Sequence, residues 1–203
     1  MVHEKLVLNA SCCFSLLGFH FSAVLFFEGS KMNNKGCTTP LDWRPTGDLP
    51  IMGSEEIMAP KKHGTSRTPV QDNLRYGCDQ AVADRICNFN RHYAEHSGYF
   101  LQTKWLQEVQ HQQEATTYYD SNSGHPLFMA PQNRSFNDFL QESLSHGWPS
   151  FRDDEVNWQY VRVLPDGECV SVDGTHLGHN IPDQKGNRYC INLVSIAGRP
   201  VEN

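Results

Sequence analysis

Three short segments and one histidine pair in this 203-residue chain gather side chains able to do chemistry: GWPSF (147–151), GTHLGH (174–179), RYCIN (188–192), and His92 with His96. Cysteine is the softest nucleophile among them, and its thiolate is the reacting form. Cys190 has Arg188 two residues before it and Asn192 two after, so strand alternation puts a thiol, a cation and an amide on one face. The alternative is an inert core cysteine, since free cysteine is among the most buried residue types. His176 and His179 have Gly178 between them, where glycine lets the backbone turn and both imidazoles converge on one small volume. Such a pair can bind a metal, move protons or hold water. Zinc is disfavoured, because no two of the seven cysteines have the CxxC spacing. His92 and His96, at i and i+4 of a predicted helix, could share a metal with Cys87 or Cys78, or form a solvated face that Glu95 balances. Trp148, fixed between Gly147 and Pro149, is either a core anchor or one wall of an apolar pocket, because the following proline holds it out of the helical region.

Helices and strands must position these groups. Residues 78–98 predict a helix, with Asp79 as N-cap, Val82, Ile86 and Phe89 at helical spacing and Gly98 as the stop. A second helix is expected at TKWLQEVQHQQ. A third, in SFNDFLQESLSHG, has a capping box of Ser135 and Asp138 and an apolar stripe of Phe136, Phe139, Leu140 and Leu144. From Thr116 onward the texture is short β-type runs (TTYYD, PLFM, WQYVRVL, ECVSV, RYCINLVSI) separated by turn signals. Those spacings are too short for repeated βαβ crossovers, so the expected class is mainly β, of the α+β kind, antiparallel with helices packed outside.

Composition removes some partners. The net charge of −6 and the lack of a Lys/Arg run leave no electrostatic footprint for a phosphate backbone, so nucleic acid is not expected as a partner. Residues 6–27 carry no charge and are long enough to span a bilayer, which suggests an organelle or secretory leader; a membrane partner is expected only if that segment stays as an anchor. The other reading of residues 1–30 is a start codon placed too early. Residues 31–77, rich in Pro, Gly, Ser and Thr without a sustained period, are expected to be a disordered linker, with order beginning near Cys78. Residues 78–115 would then be a helical extension before a domain at 116–198. The odd cysteine count leaves at least one thiol unpaired within the chain.

GWPSF, GTHLGHNIPD and GNRYCINLVSIAG, in that order, resemble the methionine-R-sulfoxide reductase family, the B-type or SelR reductases. The resemblance extends back through TTYYDSNSGHPLF and covers about 116–198; upstream, NFNRHYAEHSGYF lacks the family's T-E-x-P-F wording. It implies two small antiparallel sheets in a β-tent arrangement and an enzyme that reduces methionine R-sulfoxide, free or in oxidised proteins, without a bound cofactor. In that reading Cys190 is the nucleophile, Arg188 and nearby imidazolium favour its thiolate, and His176 and His179 hold water or supply the oxygen's proton. Trp148 cages the methyl group and Asn192 orients the histidine network. The product is a sulfenic acid on Cys190, which a second thiol converts to a disulfide that a thioredoxin-type donor opens.

Two departures stand out. Many members build a zinc site from CxxC pairs where this chain has Asp120, Ser121, Asn122 and Ser123, and Val170, Ser171, Val172 and Asp173, so it resembles the zinc-free branch. Many place a resolving cysteine just before the tryptophan, where this chain has Leu144, Ser145 and His146. The remaining candidates, in order, are Cys169, Cys87 and Cys78, with direct attack by an external thiol as the other route. A reading from another class is a non-catalytic module that binds oxidised or modified peptides in the Trp148 pocket.

Overall fold

The computed structural model describes residues 47–201. The leader-like segment 6–27 and Cys12, Cys13 and Cys37 lie outside these residues. Among the described residues no helix is long and apolar enough to cross a membrane.

The described residues are mixed α/β, with seven strands in two antiparallel sheets and few helices. Strands β1 (Thr116–Tyr119) and β2 (Pro126–Ala130) form a hairpin. A five-stranded sheet contains β3 (Ser150–Phe151), β4 (Val161–Val163), β5 (Glu168–Ser171), β6 (His176–Asn180) and β7 (Tyr189–Ile191), in the spatial order β3-β7-β6-β5-β4. Each β run expected from Thr116 onward contributes a strand. GTHLGH, expected to turn, also forms one.

Three helices accompany the sheets: α1 (Gln80–Asp84), α2 (Trp105–Gln112) and α3 (Phe136–His146). In α3 the Ser135 hydroxyl accepts from the Asp138 amide at 3.1 Å and the Asp138 carboxylate accepts from the Ser135 amide, a reciprocal cap worth about 1 kcal/mol. Its stripe is shifted by one position: Phe139 and Leu140 are buried, but Ser143 takes the inner place and Leu144 faces solvent. Phe139, Phe151, Phe128, Tyr118, Trp105 and Phe100 form one aromatic core, with Phe128 and Phe151 stacked at 4.4 Å and the others tilted or edge to face. This core joins α2 and α3 to both sheets, each aromatic contact adding about 0.5–1.5 kcal/mol beyond burial.

Two expectations fail upstream. The helix from Asp79 does begin there, with the Asp79 carboxylate capping the Val82 amide at 2.8 Å, but α1 widens into a π-type turn at Arg85–Phe89 and ends before Asn90. His92 and His96 therefore share no helix face; both are exposed, and His96 Nε2 bonds the Gln102 side chain. The expected linker is also structured from residue 47 on. Met58, Val70 and Tyr76 are buried, and across the edge of β4 the Gly53 amide donates to the Val163 carbonyl at 2.8 Å while the Val163 amide donates to the Ile51 carbonyl at 3.0 Å. Scattered apolar residues without a period anchor this wrapping segment, so its sequence looks like a linker.

Candidate active site

The site is built on the β6–β7 pairing. His179 lies directly opposite Cys190, and on the other side of β7 Ser150 lies opposite Cys190. Directly paired residues point to the same face, so the thiol has an imidazole on one flank and a hydroxyl on the other. Ser150 Oγ is 3.9 Å from Cys190 Sγ. Arg188, two residues earlier, aims Nη1 at the sulfur, as alternation predicts. Cys190 is half-buried and Arg188 is buried, so the guanidinium acts on the thiol with little screening by water.

Three residues apart on a regular strand, His176 and His179 would face opposite sides of the sheet. They do not, because β6 carries a bulge: Cys169 pairs with Gly178 and Val170 with His176, leaving Leu177 as the extra residue, buried in the core. The two rings meet edge to face with centroids 5.8 Å apart. Gly178 permits the bulge. A Cβ there would lie 2.1 Å from the Cys190 carbonyl oxygen.

Burial sets the charge of both rings. His176 is buried and its pKa falls to about 4, and His179 is also lowered by desolvation. Both are neutral near pH 7, which corrects the expectation of imidazolium beside the thiol. The positive charge at Cys190 comes from Arg188.

Asn192 is buried and does not touch the histidines. Its Oδ1 accepts from the Glu95 amide at 3.0 Å and its Nδ2 donates to the Leu177 carbonyl at 3.1 Å, so it fastens the bulge to the segment in front of the sheet. Trp148 is half-buried two residues before Ser150, its indole N–H donating to the Glu95 carbonyl at 3.2 Å. Gly147 ends α3 in the left-handed region at φ 83°, with a Cβ position 1.9 Å from Ser97 Oγ, and so sets where the tryptophan begins. Glu95 itself is buried and accepts from the Leu193 and Val194 amides at 2.8 and 3.2 Å, with burial pushing its pKa up to about 8. It does not balance the exposed histidines. Glu95, Glu168 and Arg91 were missed as site residues, and only the placement of a carboxylate inside the ECVSV strand hinted at one of them.

Cys169, the first of the expected resolving cysteines, is not poised for Cys190. Glu168 shares the Cys190 face, so Cys169 next to it points to the opposite face, into the core, and two strand spacings of about 4.8 Å already exceed disulfide reach. The preference for Cys169 is thus overturned by strand alternation. Cys87 is fully buried, with Sγ 3.5 Å from Ser195 Oγ, and Cys78 is packed between two apolar clusters; burial raises the pKa of all three thiols.

Asp120 is buried and accepts from the Asn122 amide and the Thr175 hydroxyl at 2.8 and 2.9 Å. Asn122 in turn donates to the Thr68 carbonyl and to Asn88. Asp173 pairs with His125 at 2.7 Å. Hydrogen bonds thus join the two stretches, and among the described residues no group of three or more His, Cys, Asp or Glu gathers to hold a metal.

Three surface clefts, of about 670, 500 and 460 Å³, are lined by residues other than Cys190, His179 and Trp148. No protein-family model matches the chain.

Proposed function

We propose that this chain reduces the R epimer of methionine sulfoxide, free or within oxidised proteins, with Cys190 as the nucleophile. The observation that carries the reading is the row across β6, β7 and β3, in which a half-exposed thiol has a guanidinium on its sulfur, a neutral imidazole on one flank and a hydroxyl on the other. The motif resemblance supplies the substrate and its stereochemistry. We read the two antiparallel sheets as the tent arrangement of that family.

In this mechanism the Cys190 thiolate, beside the Arg188 guanidinium, bonds to the sulfoxide sulfur; the oxygen, protonated from the histidine side, leaves that sulfur for the cysteine sulfur, and the sulfur–sulfur bond breaks with its electron pair going to methionine. The sulfoxide sulfur gains two electrons, the cysteine sulfur loses two, and the oxygen ends on Cys190 as sulfenic acid. Trp148 provides an apolar surface for the methyl group. An external thiol of the thioredoxin type then restores the cysteine, since Cys169 points away from Cys190 and the Cys87 thiol is fully buried.

The test is one turnover without reductant. Incubation with methionine R-sulfoxide should yield methionine stoichiometric with the chain and one added oxygen on Cys190, with no disulfide from Cys190 to Cys78, Cys87 or Cys169. Failure to form methionine would overturn the reading.

A further inference from the structure

The row through the thiol extends one strand further. Glu168 on β5 lies opposite His179, which lies opposite Cys190, so Glu168 shares the thiol's face at about 10 Å, two strand spacings away. Its carboxylate is buried. Oε2 accepts from Arg91 Nε at 2.7 Å and pairs with Arg91 Nη2. Oε1 has no hydrogen-bond partner among the described residues and lies 3.9 Å from His176 Nε2, which has none either.

The other nitrogen of His176 defines what Nε2 is. Nδ1 lies 3.3 Å from the Ile86 carbonyl oxygen, which can only accept, so Nδ1 carries the ring hydrogen. In the neutral ring Nε2 is then a bare lone pair. A carboxylate oxygen facing it in a buried site is unfavourable unless a proton stands between them. Closing the 3.9 Å gap to hydrogen-bond distance needs a movement of about 1 Å. The charged and titratable groups around the pair are Arg91 and His92 beyond α1, Glu55 in the 3₁₀ turn Glu55–Met58, Asp166 in the β4–β5 turn, and His179. Arg91 favours the carboxylate; Glu55, Asp166 and burial favour the protonated acid, and for Glu168 the net direction is upward.

We propose that Glu168 and His176 hold one proton between them and that this pair is the reserve from which His179 is recharged when Cys190 reduces a sulfoxide. The inference rests on the reductase reading above. Its stoichiometry is that a thiolate, a sulfoxide and one proton give a sulfenic acid and a sulfide, the proton ending on the transferred oxygen. At rest the proton is on the Glu168 carboxyl and donates to His176 Nε2; during turnover it crosses to Nε2 and leaves from that same nitrogen to the His179 ring packed edge to face beside it, Nδ1 keeping its own hydrogen, and solvent reprotonates Glu168 afterwards. Glu168 touches neither substrate nor sulfur and is a positioning residue.

The test compares the full-length wild type with Glu168→Gln, which keeps the shape and can still donate to His176 Nε2 but cannot release a proton. Infrared spectra at neutral pH should show a protonated-carboxyl C=O band in the wild type that the variant loses. With methionine R-sulfoxide and dithiothreitol, kcat should fall roughly 10- to 100-fold, with KM changed less than about twofold. Alkylation of Cys190 by iodoacetamide should keep its rate. An unchanged band, an unchanged kcat at every pH, or a loss of kcat matched by an equal loss in alkylation would each overturn the proposal. If the variant does not fold, the ¹⁵N shift of His176 Nε2 in the wild type decides: a hydrogen-bonded nitrogen supports the shared proton and a free lone pair overturns it. A wild type inactive on the sulfoxide would sink the reductase reading, while the band and the nitrogen shift would still test the proton-holding pair.

Discussion

Cys190 has the Arg188 guanidinium on its sulfur and a neutral imidazole beside it, and these neighbours separate it from Cys78, Cys87 and Cys169. Cys190→Ser should leave the fold intact and abolish sulfoxide reduction, because a hydroxyl is nearly isosteric but a poor nucleophile toward sulfur. A serine variant that keeps a tenth of the wild-type rate would refute the assignment. For Trp148, whose indole is pinned to Glu95, the expected order is that Trp148→Phe retains more kcat/KM than Trp148→Ala, since packing against the methyl group is what the ring offers. The reverse order would exclude that role. Cys190 and Arg188 were legible in the sequence because strand alternation is local and rigid. The neutral histidines were not, because their charge depends on burial by α1 and the turn after it, and residue spacing carries no such information.

Among the elements, β6 carries the most site geometry. Its bulge turns His176 and His179 to one face, and Gly178 makes room for the Cys190 carbonyl, so Gly178→Ala should cost about 1–3 kcal/mol and lower kcat by more than stability alone explains. Thermal melts beside kinetics would check this, and a fully active variant would contradict it. The sequence marks a glycine between two histidines as a turn; that it is a bulge inside a strand follows only from pairing with β5. Spacing alone puts segment 92–98 at a helix end with Glu95 in solvent, yet Glu95 is the buried fastener between this segment and the turn after β7. The folded chain keeps the Glu95 proton up to about pH 8, whereas the unfolded chain releases it in the ordinary carboxylate range, so stability falls as pH rises toward 8. From pH 6.5 to 8 this amounts to about 2 kcal/mol. Denaturant unfolding should show that decline in the wild type and its absence in Glu95→Gln; parallel curves would contradict the assignment.

At the scale of the whole molecule, residues 47–77 are part of the fold, and the hydrogen-bond cluster of Asp120, Asn122 and Thr175 joins the β1–β2 hairpin to the large sheet. The antiparallel class was legible from strand and turn spacing from Thr116 onward, whereas the wrapping segment was not, because single anchors such as Met58, Val70 and Tyr76 leave no period. The sheet also puts Cys169, packed in the core, on the face opposite to Cys190. The most direct test of the whole account is a turnover assay with separated R and S epimers of methionine sulfoxide and dithiothreitol. Multiple turnovers on the R epimer, none on the S epimer, and loss of the R-epimer turnover in Cys190→Ser are the expected result; no turnover of either epimer by the folded chain would contradict it.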